Sequence, residues 1–258
     1  MTEAKRAPSG LPDDARMTIW EHLAELRTRI IRAFLALAIG SFVGWFLYPY
    51  VVSFLVRPYE SIQPDATLYA TSFLEPFSIR IQTSVYLGVA LAMPVILWQI
   101  WRFVTPGLYP NERRAAIPFM ASALFLFVLG ATIAYLTLPA ALSFLIDVAG
   151  ADIEVIPTVD SYLKLNLFMM LAFGIGMEFP VLLVALQRIG ILEPSQLSKW
   201  RRYAIVVIAV IAAVITPSGD PISMMALAVP MYIFYEISIL LGRLFARRRR
   251  KAEAAAAG

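Results

Sequence analysis

Apolar runs separated by short polar segments make up most of the sequence. A membrane-spanning helix needs roughly 20 apolar residues, and most of the apolar runs between residues 17 and 244 are about that long. The pattern predicts a bundle of six transmembrane helices with approximate bounds 30–48, 78–104, 115–138, 161–187, 203–216 and 222–241. The last two runs are short, and the fifth spans only about 21 Å at about 1.5 Å per residue. Both therefore favour a locally thin bilayer or shelter by neighbouring helices.

The polar segments predict where these helices begin and end. Residues 1–16 are expected to be disordered, and Thr18-Ile19-Trp20-Glu21 fits a capping box, so a helix should begin near Ile19 and continue into the first span. The segments at 49–77 and 139–160 contain several prolines and are predicted to be the longer loops. The turn at 216–221 is too tight to hold a domain.

Composition supports a membrane protein and excludes several kinds of chemistry. Hydrophobic residues make up 60% of the 258 residues, whereas soluble domains contain about 45–50%. There is no cysteine, which excludes disulfides, thiolate metal sites and cysteine nucleophiles. His22 is the only histidine, which excludes bis-histidine haem ligation and zinc sites of the HExxH type. We expect neither a cofactor nor a bound metal.

The basic residues indicate an orientation. All of the 22 Lys and Arg residues except Arg57, Arg80 and Lys164 lie in segments that would share one side of the membrane. Cytoplasmic segments carry such an excess, so we predict that both termini are cytoplasmic. The chain divides into a tail at 1–16, a six-helix domain at 17–244 and a basic tail at 245–258. The arginines of that tail favour contact with anionic lipids.

Two glutamates, Glu25 and Glu112, stand out on this basic side. In the simpler interpretation, Glu25 pairs with Arg29 one helical turn away. Glu112 would then sit in the first turn of a helix behind an Asn111 cap. In the alternative, two carboxylates at the membrane surface bind a cationic peptide. Carboxylates bind guanidinium groups in a bidentate manner that an ammonium cannot reproduce, so such a site would prefer Arg to Lys.

A third glutamate, Glu178, lies inside the predicted fourth span. An ionisable group at that depth is costly and is a hypothesis of function by default. Glu178 is either protonated and bonded to a backbone carbonyl or paired with a polar group of another helix or chain. Pro180 and the nearby Gly174 and Gly176 should bend or loosen this helix.

Three further residues have simpler explanations. Thr216 and Asp220 flank the last tight turn, where turn chemistry accounts for both. Phe103 ends the second span and fits interface packing.

Two other classes of function are less consistent with the sequence. A proton-coupled transporter would use Glu178 as its proton site, but it would need more polar residues in the spans and usually an internal repeat. An intramembrane hydrolase would need a Ser–His pair, an Asp pair or an HExxH motif within the spans, and His22 lies outside them.

Four ordered motifs resemble the TatC subunit family of the twin-arginine protein translocase, and the likeness runs from about Met17 to Leu244. They are His22-Leu-Ala-Glu-Leu-Arg27, Phe103-Val-Thr-Pro-Gly-Leu-Tyr-Pro-Asn-Glu-Arg-Arg114, Phe173-Gly-Ile-Gly-Met-Glu-Phe-Pro180 and Ala228-Val-Pro-Met-Tyr232. One such motif would be weak, but the ordered set on six spans is specific.

The resemblance implies an all-α, concave, glove-like membrane protein of the bacterial inner membrane. Such a protein is not an enzyme. It binds the twin-arginine signal peptides of folded cargo at its cytoplasmic face, and it works with the single-span proteins TatA and TatB under the proton-motive force. The resemblance also implies a homo-oligomer within the receptor complex and no role in nucleic-acid binding.

The resemblance further assigns roles to single residues. Glu25 and Glu112 match the acidic residues that hold the arginine pair, and Arg27 and Phe103 match positions in the same recognition region. Glu178 and Thr216 match contacts with TatA or TatB helices, and Pro58 and Asp220 match functional positions on the outer side. The sequence departs from the family at Pro217-Ser-Gly-Asp220, a longer turn, and at Met224, where a polar residue is frequent.

Overall fold

The computed structural model describes residues 19–62, 68–104, 116–150, 152–153, 155–188, 190–216 and 219–256, and these are almost entirely helical. The helices are α1 (Ile19–Glu60), α2 (Glu75–Val104), α3 (Ala116–Ala149), α4 (Val159–Gly176), α5 (Phe179–Arg188), α6 (Pro194–Lys199), α7 (Arg201–Ile215) and α8 (Pro221–Ala256). The predicted all-α class is confirmed. Helix α1 begins at Ile19, as the capping pattern predicted, while Thr18 itself lies outside the described residues.

Five helical stretches among the described residues are long and apolar enough to cross a membrane. They are Leu23–Glu60, Glu75–Phe103, Ile117–Ala149, Val159–Arg188 and Pro221–Arg247. Helix α7 stands in the place of the predicted fifth span and has only 15 residues. At about 1.5 Å per residue it is about 22 Å long, which is shorter than a hydrocarbon core of about 30 Å. The prediction of a short fifth helix is therefore confirmed.

Two predicted loops were placed too early in the chain. Helix α1 continues through Pro49 and Pro58 to Glu60, and α3 continues through Pro139 to Ala149. Loops were expected to begin at 49 and 139 because proline lacks a backbone N–H and normally leaves the carbonyl four residues earlier without a partner. That rule considers one helix by itself and does not include hydrogen-bond donors on neighbouring helices.

In α1 the carbonyls released by proline are bonded by side chains of other helices. Pro49 releases the carbonyl of Trp45, which accepts a hydrogen bond from Nη2 of Arg80 on α2 at 3.2 Å. Pro58 releases the carbonyl of Phe54, which accepts one from the Tyr135 hydroxyl on α3 at 3.0 Å. These hydrogen bonds satisfy two backbone carbonyls that lipid could not, so α1 remains helical at both prolines.

The last helix also differs from its prediction. The sixth helix was expected to be short, near 222–241, but α8 has 36 residues and continues from the apolar span through Arg247 into the basic segment. That prediction is wrong because it was based on the apolar run, and the helix continues beyond the end of that run. The runs of Arg and Ala after Phe245 are good helix formers and need no apolar face.

The predicted weak point in the fourth span is confirmed. Helix α4 ends at Gly176, Met177 and Glu178 form a turn, and α5 begins at Phe179. Pro180 lies in the first turn of α5, where its missing N–H removes no helical hydrogen bond. The fourth span therefore consists of two helices joined at Glu178.

Small residues set the distance between α1 and α2. A Cβ atom added to Gly40 would lie 2.7 Å from the carbonyl oxygen of Gly88, and one added to Gly44 would lie 2.7 Å from that of Ser84. The two backbones are therefore in direct contact, as small residues allow in membrane helix pairs. This contact fixes the start of α1 beside the end of α2.

A buried carboxylate ties the opposite end of the bundle together. The Oε2 atom of Glu75, at the start of α2, accepts hydrogen bonds from the backbone N–H and the hydroxyl of Thr71, at 2.5 and 2.8 Å. Its Oε1 atom accepts one from the backbone N–H of Asp160, in the first turn of α4, at 3.1 Å. Glu75 thus links the segment before α2 to the start of α4.

Candidate functional site

A basic groove lies where α1 begins and α2 ends. Its volume is about 350 Å³, and it is lined by Ala24, Glu25, Thr28, Arg29, Arg32 and Arg102. Residues at intervals of three or four on a helix share a face, so Glu25, Thr28, Arg29 and Arg32 lie on the side of α1 that faces the groove. Arg102, in the last turn of α2, contributes from the other wall.

Glu25 is the carboxylate of this basic groove. Its Oε1 atom accepts a hydrogen bond from Nη2 of Arg29, and both side chains are more than four-fifths buried. The predicted pairing with Arg29 is therefore confirmed. Within the described part of the chain, the buried Oε2 atom of Glu25 and the Nε atom of Arg29 have no hydrogen-bond partner. Pairing with Arg29 thus uses only one of the two carboxylate oxygens.

The charge around this carboxylate is strongly positive. Arg29, Arg32 and Arg102 line the same basic groove as Glu25. A buried polar atom without a partner loses the free energy of the hydrogen bond it could make, about 1–3 kcal/mol. Oε2 of Glu25 is therefore an unused acceptor for a charged donor, in a groove that otherwise repels cations.

The other residues of the predicted recognition region are placed as follows. Arg27 is an exposed residue of α1, and Phe103 is half-buried and follows Arg102 near the end of α2. Glu112 lies outside the described residues, in the connection between Val104, where α2 ends, and Ala116, where α3 begins.

Glu178 lies in the turn between α4 and α5, and its side chain is half-buried. Its Oε1 atom is buried and has no hydrogen-bond partner among the described residues. The adjoining Gly176 is packed between Ile215 of α7 and Leu227 of α8, since an added Cβ would lie 3.5 Å from each. The break in the fourth span therefore faces the two last helices of the bundle.

Thr216 and Asp220 perform the turn chemistry expected of them. The buried hydroxyl of Thr216 donates a hydrogen bond to the carbonyl of Ala212 at 2.8 Å. The buried carboxylate of Asp220 accepts one from the backbone N–H of Ser223 at 2.7 Å and so caps the start of α8. Pro58, expected in a loop, is instead buried inside α1, and its carbonyl accepts a hydrogen bond from the Ser61 hydroxyl at 2.7 Å.

Sequence reasoning missed part of this site. Thr28, Arg32 and Arg102 line the basic groove but were counted only as orientation signals or not singled out. The spacing of Thr28 and Arg32 from Glu25, three and seven residues, was a usable signal because it puts all three on one helical face. Arg102 had no such signal, since it reaches the basic groove through the packing of α2 on α1.

Glu236 of α8 is paired with a residue of α7. It forms a two-pronged ion pair with Arg201 of α7, with both contacts at 2.8 Å, and accepts a hydrogen bond from the Tyr232 hydroxyl at 3.1 Å. Among the described residues, no three or more His, Cys, Asp or Glu side chains lie close enough together to hold a metal ion.

Comparisons with known proteins agree with the fold and with the motifs. The family model described as "TatC: Sec-independent protein translocase protein (TatC)" matches residues 21–230. The "Sec-independent protein translocase protein TatC" of Aquifex aeolicus is 40% identical over 242 residues, which cover 93% of this chain and 100% of that protein. "TatCy" of Bacillus subtilis is 34% identical and covers 93% of this chain and 94% of its own length.

A solved structure gives the same result for the three-dimensional fold. The "Crystal Structure of Twin Arginine Translocase Receptor- TatC" superposes with a TM-score of 0.73 at 41% identity. The superposition covers 87% of this chain and 99% of the solved chain.

Proposed function

Because this chain belongs to the TatC family of Sec-independent protein translocase proteins, we propose that its basic groove binds the arginine pair of a twin-arginine signal peptide. Its fold is the glove-like bundle of that family, and the chain is the receptor subunit of a translocase that exports folded proteins, not an enzyme. One observation supports the assignment of the site: Glu25 keeps one buried carboxylate oxygen without a partner among the described residues, in a groove whose other charged residues are all arginines.

The chemistry of this pairing favours arginine over lysine. A guanidinium presents two parallel N–H donors that match a carboxylate, whereas an ammonium is a single point charge. Each hydrogen bond to a charged group contributes roughly 1.5–3 kcal/mol. Arg29 occupies one lone pair of Oε1, which leaves Oε2 and the second lone pair of Oε1 to accept both donors of a peptide guanidinium.

The second arginine of the peptide requires a second acceptor, and we assign it to Glu112. The connection that carries Glu112 starts three residues after Arg102, which lines the basic groove, and this closeness in sequence supports the assignment. Arg27 and Phe103 flank the same region, and we propose that they contact the peptide on either side of the arginine pair.

We further propose that the basic groove faces the cytoplasm, with both termini on that side of a bacterial inner membrane. The distribution of Lys and Arg supports this orientation. The multi-pass architecture itself follows from the membership of the family and from the apolar helices.

Photo-crosslinking from α1 tests the location of the peptide site. A crosslinking residue at position 28 is expected to label the signal peptide of a twin-arginine cargo, and labelling is expected to disappear when the pair is changed to Lys-Lys. Position 53 is a matched control, because Ser53 and Thr28 are both exposed and both donate their hydroxyl to a backbone carbonyl of α1. The two positions are about 37 Å apart along the helix, and stronger labelling from position 53 would contradict the assignment.

We propose that Glu178 contacts a polar group on a transmembrane helix of TatA or TatB. A buried acceptor without a partner among the described residues is expected to find one in the assembled complex. Glu178→Ala is expected to keep peptide binding and to lose at least half of the disulfide crosslinks formed between a cysteine introduced into α5 and one introduced into the partner helix. Glu178→Gln, which keeps a hydrogen-bonding side chain, is the control and should retain most of them. Unchanged partner crosslinks in Glu178→Ala would remove this role.

The remaining family positions are assigned to the outer side and to assembly. Thr216 is proposed to position the end of α7 for contact with the partner helix, since the residue is buried and its hydroxyl is bonded to the carbonyl of Ala212. Asp220 and Pro58 are proposed to keep the shape of the outer surface, the first by capping α8 and the second from inside α1. Association with further copies of this chain in the receptor complex is also proposed.

A further inference from the structure

A second basic cavity lies between α6 and α8 and shares no lining residue with the basic groove at Glu25. We call it the α6–α8 cavity. Its volume is about 660 Å³, and the lining includes Glu193, Ser195, Ser198, Lys199, Arg243 and Arg247. Because successive spans alternate in direction, this cavity opens at the same end of the bundle as the start of α1.

The α6–α8 cavity has an excess of positive charge, with three cations against one acid in its lining. Lys199, Arg243 and Arg247 form no ion pair with another described side chain. Glu193 is the acidic residue of the lining, and its carboxylate is already used within α6. It accepts a hydrogen bond from the Ser195 hydroxyl at 2.8 Å and closes a capping box with Gln196.

One of these cations is held in a fixed position. The Nη2 atom of Arg243 donates a hydrogen bond to the Ser198 hydroxyl at 2.9 Å, which ties the guanidinium to α6 across the cavity. Its other N–H groups remain available, since a guanidinium carries five donors. A positioned guanidinium next to two cations that form no ion pair with a described side chain is a binding geometry for an anion with several acceptor oxygens.

An apolar surface continues directly from the cavity. Arg243 also lines a neighbouring depression of about 290 Å³, whose apolar residues are Ile237, Ile239 and Leu240 and whose other charges, Arg201 and Glu236, are paired with each other. Leu240 and Leu244 of α8 are exposed, and so is Trp200, whose indole suits the boundary between lipid and water. A ligand that combines an anionic head with an aliphatic chain fits a basic cavity next to these apolar residues.

We propose that the α6–α8 cavity binds the phosphate headgroup of an anionic phospholipid, with an acyl chain along Ile237 and Leu240. Basic pockets between membrane helices bind such headgroups. A zwitterionic choline lipid would bring its ammonium among three cations and is disfavoured by repulsion. The bound lipid would hold α6 against α8 and so fix the connection that leads into the short helix α7.

Native mass spectrometry of the purified full-length chain in neutral detergent tests this proposal, with dioleoyl phosphatidylglycerol and dioleoyl phosphatidylcholine as probes. The native chain is expected to retain phosphatidylglycerol in preference to phosphatidylcholine. The double substitution Lys199→Gln/Arg247→Gln leaves the Arg243–Ser198 hydrogen bond in place and is expected to weaken phosphatidylglycerol binding about tenfold or more. Lys199→Arg/Arg247→Lys keeps both charges and should restore binding.

The matched control removes the same number of charges from the same end of the bundle. Arg188→Gln/Arg202→Gln lies outside the α6–α8 cavity and is expected to change the affinity by less than about twofold. An equal loss in this control, or native affinity in Lys199→Gln/Arg247→Gln, would overturn the site. Displacement of the lipid by millimolar glycerol 3-phosphate would also overturn the proposal, since it would indicate a site for free phosphate.

Discussion

Glu25→Gln is expected to reduce export of a folded twin-arginine cargo by about tenfold to a hundredfold. The substitution keeps the shape of the side chain and an oxygen that can accept from Arg29, but it removes the charge that a guanidinium requires. Loss of one charge-assisted hydrogen bond costs roughly 1.5–3 kcal/mol, which corresponds to that range in affinity. The measurement is the rate at which a folded fluorescent cargo reaches the outer compartment of cells that express each variant at equal levels.

Glu60→Gln is the control for this prediction. Glu60 is an exposed acid at the far end of the same helix, so its neutralisation changes the net charge equally without touching the basic groove. Export by Glu60→Gln is expected to equal that of the unmodified protein. Export by Glu25→Gln at the unmodified rate would show that the carboxylate is not required.

Lengthening α7 by four residues is expected to abolish export while signal-peptide binding remains. The helix has 15 residues, and the insertion of Leu-Ala-Leu-Ala after Val207 adds about 6 Å, so that it approaches the thickness of an ordinary bilayer. We propose that the short helix keeps the membrane thin beside the break at Glu178, where partner helices assemble. A helix of ordinary length would remove that thinning.

The insertion also displaces Arg201 from Glu236, so the control must remove this ion pair without changing the length. Arg201→Gln does so, and exposed pairs of this kind contribute little to stability. Arg201→Gln is expected to export normally. Normal export by the lengthened variant, measured at equal peptide binding, would contradict the proposal that the short helix thins the membrane.

The six-span architecture was predictable because lipid imposes a strong rule on the sequence. Apolar runs of the right length revealed the spans, and the turn at Glu178 was predictable from Gly174, Gly176 and Pro180. The exact end of α1 was not. It depends on Arg80 and Tyr135, which reach from other helices to the carbonyls that Pro49 and Pro58 leave without a helical partner. Such contacts join residues more than 30 positions apart, and periodicity within one run cannot reveal them.

The candidate site was predictable in part. A glutamate on a basic face indicated Glu25, and its partner Arg29 was one turn away. The sequence could not show that Oε2 of Glu25 has no partner among the described residues, because that depends on how α2 packs on α1 through Gly40 and Gly88. The α6–α8 cavity was also beyond the sequence, since Lys199 and Arg243 become neighbours only after the last three helices fold together.

The contacts of Glu75 were likewise only partly predictable from the sequence. Its carboxylate accepts bonds from Thr71, four residues away, and from the backbone of Asp160, far along the chain. The first of these partners is compatible with local capping at the start of α2. The second depends on the meeting of two helix ends, which no local pattern in the sequence records.

The affinity of the purified protein for Arg-Arg and Lys-Lys signal peptides, measured with Glu25 intact and with Glu25→Gln, tests the central claim most directly. The account predicts that the intact protein binds the Arg-Arg peptide about tenfold or more tightly than the Lys-Lys peptide. It also predicts that this preference largely disappears in Glu25→Gln, because the substitution removes the charged acceptor. A preference of the same size with and without the Glu25 carboxylate would contradict the account.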